Sequence, residues 1–168
     1  MMTLQIRIAR PDDAQGMLRV LNPIIEAGSY TALDQPFTVD QQRAFITGFP
    51  QRGVFHVAER VDDGAIVGLQ DVAPFSDEGT RAFDHVGVIA TYVDLSLRRT
   101  GVSKQLFSAT FEAARKKGFE KLFTYIRADN PAALAAYQHQ GFQIIGTAKR
   151  QARIRGEFID EVFVERFL

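Results

Sequence analysis

The chain contains no cysteine and only three histidines. Without cysteine there is no disulfide, no thiolate metal site and no cysteine nucleophile, and the composition is compatible with a reducing cytoplasm, where we expect the protein to work. His56, His85 and His139 are too dispersed to suggest a metal cluster, so no metal is expected. An excess of charge of one sign is also missing. Lys plus Arg and Asp plus Glu stand at 20 each, which leaves no broad basic surface for nucleic acid and makes any anion site a local one. No run of ~18 apolar residues occurs, so no membrane span is expected. The start, Met1 to Arg7, has neither the apolar core nor the cleavage site of a signal peptide.

What is present is ordinary for a globular protein: 168 residues, 46% of them hydrophobic and 24% charged. That length suits one domain covering residues 1–168. Leu4 to Ala9 alternates as a strand does, and Pro11-Asp12-Asp13 supplies helix-start chemistry before the apolar spacing of Met17, Leu18, Leu21, Ile24 and Ile25. Thr38 is placed to cap a second helix reaching about Phe49, which we expect to roof a pocket. Val54 to Arg60 and Ala65 to Val72 read as a hairpin about Asp63-Gly64, and His85 to Leu95 as a long central strand. Ser103 to Lys117 has one apolar helical face and ends at Gly118. Leu122 to Arg127 predicts a strand, Asn130-Pro131 starts a helix to about Gln140, and two strands follow, near 142–155 and 158–168. Strands and helices mix throughout, which predicts a single α/β sandwich.

The segment Arg98-Arg99-Thr100-Gly101-Val102-Ser103-Lys104 joins the central strand to the longest amphipathic helix. A glycine there lets the backbone turn sharply and approach a ligand with no Cβ in the way. The helix start presents unpaired N–H groups at the favourable end of its dipole, and Arg98, Arg99 and Lys104 add charge, so the segment suits a pyrophosphate. Taken alone, Gly101 reads rather as a structural turn glycine with solvated basic residues beside it, and context has to overturn that reading. The loop lacks the Gly-Lys-Ser/Thr ending of a nucleotide P-loop and the three-glycine spacing of a dinucleotide turn.

The order strand, Arg98-x-x-Gly101-x-Ser103, helix, strand, Asn130-x-x-Ala133-x-x-x-Tyr137, Gly141-Phe142 resembles the GNAT acetyltransferase superfamily over about residues 86–146. The family's first motif ends in Gly or Ala where this chain has Ser103. Asn22 to Pro36, Val57-Ala58-Glu59, Tyr92-Val93-Asp94 and Gly156 to Asp160 are similar to the phosphinothricin N-acetyltransferase-like branch. The resemblance implies a mixed, mostly antiparallel twisted sheet of about seven strands flanked by about four helices. It also implies acetyl transfer from acetyl-CoA to a primary amine of a small amino-acid-like molecule by direct attack. The other readings are acetylation of a protein or polyamine amine, and a CoA-binding sensor without catalysis.

By the same resemblance, Thr91, Tyr92 and Val93 offer main-chain groups to the pantetheine arm. Arg98, Arg99, Thr100, Gly101, Val102, Ser103 and Lys104 wrap the pyrophosphate, and Asn130 contacts the arm. Tyr137 is the implied general acid, with the thioester beside it where the sheet splays. The branch carries a glutamate a few residues before the Tyr-Val pair, but this sequence has Gly87 and Val88 there. His85 is the candidate base, with Asp84 and Glu26 as alternatives. Asp34, Asp71, Asp77, Glu78 and Asp84, with Arg81, read either as an acidic substrate site or as solvated loop. A homodimer is expected, with pairing through the C-terminal segment 162–168.

Overall fold

The structure, a computed structural model, describes residues 2–76 and 78–168; Asp77 lies outside them. One sheet of seven strands runs in the order β1-β2-β3-β4-β5-β7-β6. The strands are β1 (Leu4–Ile8), β2 (Val54–Arg60), β3 (Ile66–Pro74), β4 (Val86–Val93), β5 (Lys121–Arg127), β6 (Gln143–Ile154) and β7 (Glu157–Phe167). Every neighbouring pair is antiparallel except β4 with β5. The four α-helices are α1 (Ala14–Ala27), α2 (Val39–Thr47), α3 (Val102–Lys116) and α4 (Pro131–His139). The expected mixed and mostly antiparallel α/β architecture is what the chain adopts.

Alternation along the strands sends side chains to the two faces of the sheet, each of which carries a core. On one face Phe55, Val57 and Leu69 pack with Met17, Val20 and Ile24 of α1 and Ile46 of α2. On the other, Val72, Ile89, Leu122 and Ile126 pack with Phe107, Phe111 and Ala114 of α3 and Tyr137 of α4. Each such apolar side chain, fully buried, contributes about 1.5–3 kcal/mol. The sheet is therefore gripped from both sides, and β4 lies at its centre with one face toward α1 and the other toward α3.

Local chemistry sets the ends that matter. Thr38 Oγ1 accepts from the Gln41 N–H while Gln41 Oε1 accepts from the Thr38 N–H, a reciprocal cap that starts α2. The helix stops at Thr47, two residues before the expected end, where Gly48 follows. β4 is shorter than the run His85 to Leu95 predicts. His85 lies before the strand, its carbonyl taken by the Glu120 and Lys121 N–H groups, and the Asp94 carboxylate closes the other end by accepting from the Ser96 N–H at 2.8 Å. The expectation that segment 162–168 pairs across a dimer is corrected by topology. β7 is hydrogen-bonded to β5 on one side and β6 on the other, so the free edge at that end belongs to β6.

Candidate active site

β4 and β5 are paired only from Val86↔Lys121 to Val88↔Phe123. Beyond Val88 the two parallel strands diverge, and the main chain from Ile89 to Val93 has no strand partner on that side. The gap is a cleft of about 640 Å³ that passes between the two faces of the sheet, reaching Phe107 and Tyr137 on one and Tyr30, Tyr92 and Arg127 on the other.

At one end of the cleft stands the loop into α3. After a single 3-10 turn at Leu95–Leu97, Arg99 takes φ +62° and Gly101 φ +89°. Gly101 is the N-cap residue of α3 and supplies no side-chain cap, so the first N–H groups of the helix are left for an anion. A Cβ at Gly101 would meet nothing within 4 Å. The space in front of the turn is open, and the left-handed backbone favours glycine there. The Thr100 hydroxyl donates to the Leu97 carbonyl at 2.6 Å and braces the turn. Arg98, Arg99, Gly101, Val102 and Ser103 line the cleft, while Lys104 sits exposed on the first turn of α3, outside the lining.

Where β4 leaves β5, the Tyr137 hydroxyl lies 2.9 Å from Thr91 Oγ1, and Gln70 Nε2 donates to the same Thr91 oxygen at 2.8 Å. With Gln70 donating, the Thr91 hydroxyl can give its own proton to the Tyr137 oxygen, which leaves the phenol proton free to point into the cleft. Edge contacts with Phe107 and Phe142, at centroid distances of 5.2 and 5.0 Å, fix the ring. Burial, partly opposed by the Thr91 hydrogen bond, pushes the Tyr137 pKa well above the usual phenol value. The group is consequently protonated throughout the neutral range and available as a donor.

The other face is roofed by the segment after α1, which four side chains hold in place. Arg127 Nη1 donates to the Gly28 and Thr31 carbonyls, and Asn130 Nδ2 donates to the Tyr30 carbonyl at 3.1 Å. Asn22 exchanges two hydrogen bonds with the Phe37 main chain. The Arg98 guanidinium stacks 3.9 Å over the Tyr30 ring, a contact that joins the loop at the start of α3 to this roof. Asn130 also caps α4 by accepting from the Ala133 N–H at 3.2 Å.

The sequence profile of the acetyltransferase (GNAT) family matches residues 24–142. The chain belongs to the GNAT acetyltransferase family. The phosphinothricin N-acetyltransferase of Streptomyces coelicolor is 21% identical over 165 residues, covering 97% of this chain and 95% of that one. Among solved structures, the ribosomal-protein-alanine N-acetyltransferase from Brucella melitensis is 25% identical with a TM-score of 0.88, covering 98% of this chain and 99% of that one. The GNAT superfamily phosphinothricin acetyltransferase from Sinorhizobium meliloti, in complex with AcCoA, is 21% identical with a TM-score of 0.88, covering 99% and 89%. This protein is thus an acetyl-CoA-dependent acyltransferase, and the open glycine turn, the unpartnered stretch of β4 and the cleft between them suit that elongated, anionic cosubstrate. Among the described residues no group of three or more His, Asp or Glu is placed to hold a metal ion.

Within this GNAT acetyltransferase the sequence-derived residues Thr91, Tyr92, Val93, Asn130 and Tyr137 line one cleft together with Arg98, Arg99, Gly101, Val102 and Ser103, while Thr100 braces the turn from outside the lining. The base candidates do not join them. His85 is exposed and precedes β4, six residues from Thr91 along an extended chain, about 20 Å at strand spacing. Asp84 is paired with Arg52 and Arg81 on the surface, and Glu26 is exposed at the end of α1. Gly87 cannot carry an acid, since a Cβ there would meet Val72 Cγ1 at 2.5 Å. Gln70, Arg127 and Glu161 had no role in the sequence reading. The signal for Gln70 was a fully polar side chain inside the apolar run Val67 to Val72; for Arg127 and Glu161 no local signal exists, because their places depend on how distant strands pair.

Proposed function

We propose that the protein transfers an acetyl group from acetyl-CoA to the primary amine of a small, amino-acid-like molecule by direct attack. The observation that carries this reading is the Tyr137 hydroxyl beside Thr91 at the point where β4 parts from β5, in a cleft open to both faces of the sheet. The donor occupies the side of Gly101 and the unpartnered main chain of Thr91 to Val93, and the acceptor reaches the thioester from the opposite face of the sheet, which carries α1, α2 and the Tyr30 roof. That roof is pinned by Arg127, Asn130 and Asn22, which favours a compact acceptor over an extended peptide.

In the reaction two protons leave the acceptor nitrogen. One goes to a base and then to solvent. As the new C–N bond forms and the C–S bond breaks, Tyr137 donates to the departing sulfur and is restored by the second proton from nitrogen. Arg98 and Arg99 neutralise the pyrophosphate with the α3 N–H groups. The homodimer and cytoplasmic location expected from the sequence are part of the same proposal, and light scattering on the purified protein tests the first.

The test is calorimetry with acetyl-CoA followed by thiol-release kinetics on a panel of amines: L-phosphinothricin, as the named relatives suggest, other amino acids, spermidine, and a peptide with a free N-terminus. The proposal expects micromolar-class acetyl-CoA binding and highest kcat/KM on an amino-acid-like amine. Preference for the peptide or for spermidine would move the assignment to the corresponding acceptor. Tight binding with no turnover would identify a sensor.

A further inference from the structure

A second cavity of about 760 Å³ opens between α2 and the end of β3. Its walls are apolar and aromatic, chiefly Phe45, Phe49, Pro74 and Phe75, and the carboxylate on its lining is that of Asp71. Phe45 and Phe75 are half exposed, at 51% and 46%, so the cavity is reachable from solvent.

Asp71 stands directly opposite Ala90 in the β3–β4 pairing, and Ala73 stands opposite Val88. Opposed residues share a face of the sheet, so Asp71, Ala90 and Val88 all point toward α1 and α2. Ala90, the residue paired with Asp71, lines the main cleft, so Asp71 stands on the strand position next to the splay. A carboxylate is thereby delivered to the face of Val88 from the neighbouring strand. The side chain is half-buried and open in part to the cavity, and burial raises its pKa to about 7. Among the described residues it has no hydrogen-bond or ion-pair partner. Tyr92, opposite Leu69, lies on the same face of β4 as Ala90, and its pKa is raised chiefly by burial and in smaller part by the Asp71 charge.

We propose that this cavity receives the body of an amine whose side chain is apolar or aromatic, and that the Asp71 carboxylate at its floor takes the proton from the acceptor's ammonium group. The inference rests on the acetyltransferase reading above. One N–H bond of the ammonium breaks and one O–H bond forms on Asp71, which leaves a neutral amine free to attack; the proton passes from Asp71 to solvent between turnovers. An ammonium group is drawn to a half-buried, unpaired carboxylate, and phenylalanine faces add attraction for the cation and for an apolar body. The titratable and charged groups that face Asp71 are Tyr92 from β4 and Arg52 from the segment after α2, with Tyr137 across the sheet on the α4 side. β2 contributes only Phe55. Both phenols stay neutral in the working range, and Arg52 is engaged with Asp84.

The experiment is steady-state kinetics with 2-phenylethylamine, L-phenylalanine, L-phosphinothricin and spermidine from about pH 6 to about pH 9, with calorimetry for acetyl-CoA. In the wild type kcat/KM rises with pH through about 7 and levels off, and the amines with apolar bodies are preferred over spermidine. Asp71→Asn lowers kcat by about 10²-fold and removes that limb, with unchanged acetyl-CoA affinity. Asp71→Glu restores part of the rate together with the limb, and thermal unfolding shows both variants folded. A wild-type rate and limb in Asp71→Asn would overturn the inference while leaving the acetyltransferase reading intact. Loss of the limb in Glu161→Gln but not in Asp71→Asn would do the same, because Glu161 borders the cleft from β7. Acetyl-CoA binding with no turnover of any amine would remove the catalytic reading and this inference with it.

Discussion

Gly101 separates two reasons for keeping a glycine, and a pair of substitutions distinguishes them. Its φ of +89° lies in the left-handed region, yet a Cβ there would meet nothing within 4 Å. Gly101→Ala therefore meets no steric clash in the unliganded protein but does pay about 1–2 kcal/mol for the backbone conformation. For a chain of 168 residues that is a fall in Tm of roughly 2–8 °C. Asparagine tolerates the left-handed region far better, so Gly101→Asn should hold Tm within about 2 °C of the wild type. If the open space is where a pyrophosphate meets the α3 N–H groups, both variants place a side chain in its path. Acetyl-CoA affinity should fall by at least about 10-fold in each, corresponding to about 1.4 kcal/mol. Thermal melts in the absence of ligand and calorimetry with acetyl-CoA read the two quantities independently. Native stability together with native affinity in Gly101→Asn would refute the close approach and leave Gly101 as a turn residue only.

Tyr137→Phe keeps the edge contacts with Phe107 and Phe142 and removes the proton. It should lower kcat by about 10²-fold with no change in acetyl-CoA Kd, and undiminished turnover would exclude Tyr137 as the acid. Tyr30→Leu loses the stacking of Arg98, about 0.5–2 kcal/mol, and should weaken acetyl-CoA binding although Tyr30 belongs to the acceptor's roof; an effect on amine KM alone would show that the two loops act separately. Asp71 also makes a prediction about stability. Its folded pKa of about 7 exceeds the ordinary carboxylate value, so between those limits the folded chain holds a proton that the unfolded chain has released, and stability falls as pH rises through that window. Asp71→Asn should then be the more stable protein by roughly 2–4 kcal/mol at about pH 8, with the difference gone near pH 4. Equal urea midpoints for the two proteins at pH 8 would show that the carboxylate is well solvated.

The donor side of the site was legible because its chemistry is local in sequence. Arg98 to Ser103 and Asn130 to Tyr137 are short motifs, each carried by one strand-to-helix turn, and the periodicity of Leu106, Phe107, Thr110 and Phe111 fixes the helix between them. Tyr137 could be placed on a buried helical face for the same reason. Strand ends were less legible: Asp94 ends β4 through its own side-chain hydrogen bond to Ser96, which an apolar run does not announce. The base was not legible at all from β4 alone. Asp71 appeared among loop acids such as Asp84 and Glu78, and its distinction from them arises only from the pairing of β3 with β4.

That pairing also accounts for the empty position on the central strand. A side chain at Gly87 points into the packed face of Val72, Leu122 and Phe119 and has no room. Val88 points the right way, but beside it β3 presents Ala73 and, one alternation nearer to Thr91, Asp71. Two acids in that space would repel each other and raise both pKa values, so an aspartate on β3 and an apolar residue at Val88 are mutually consistent. The same argument fixes the order of events at the splay. Asp71 approaches from the α2 face, Tyr137 from the α4 face, and the gap left by β5 is the only route between them that the described strands provide. A proton taken on one face and a proton given on the other then require the amine to cross the sheet at Ala90 and Thr91, where β4 carries a single methyl group next to the hydroxyl that orients Tyr137.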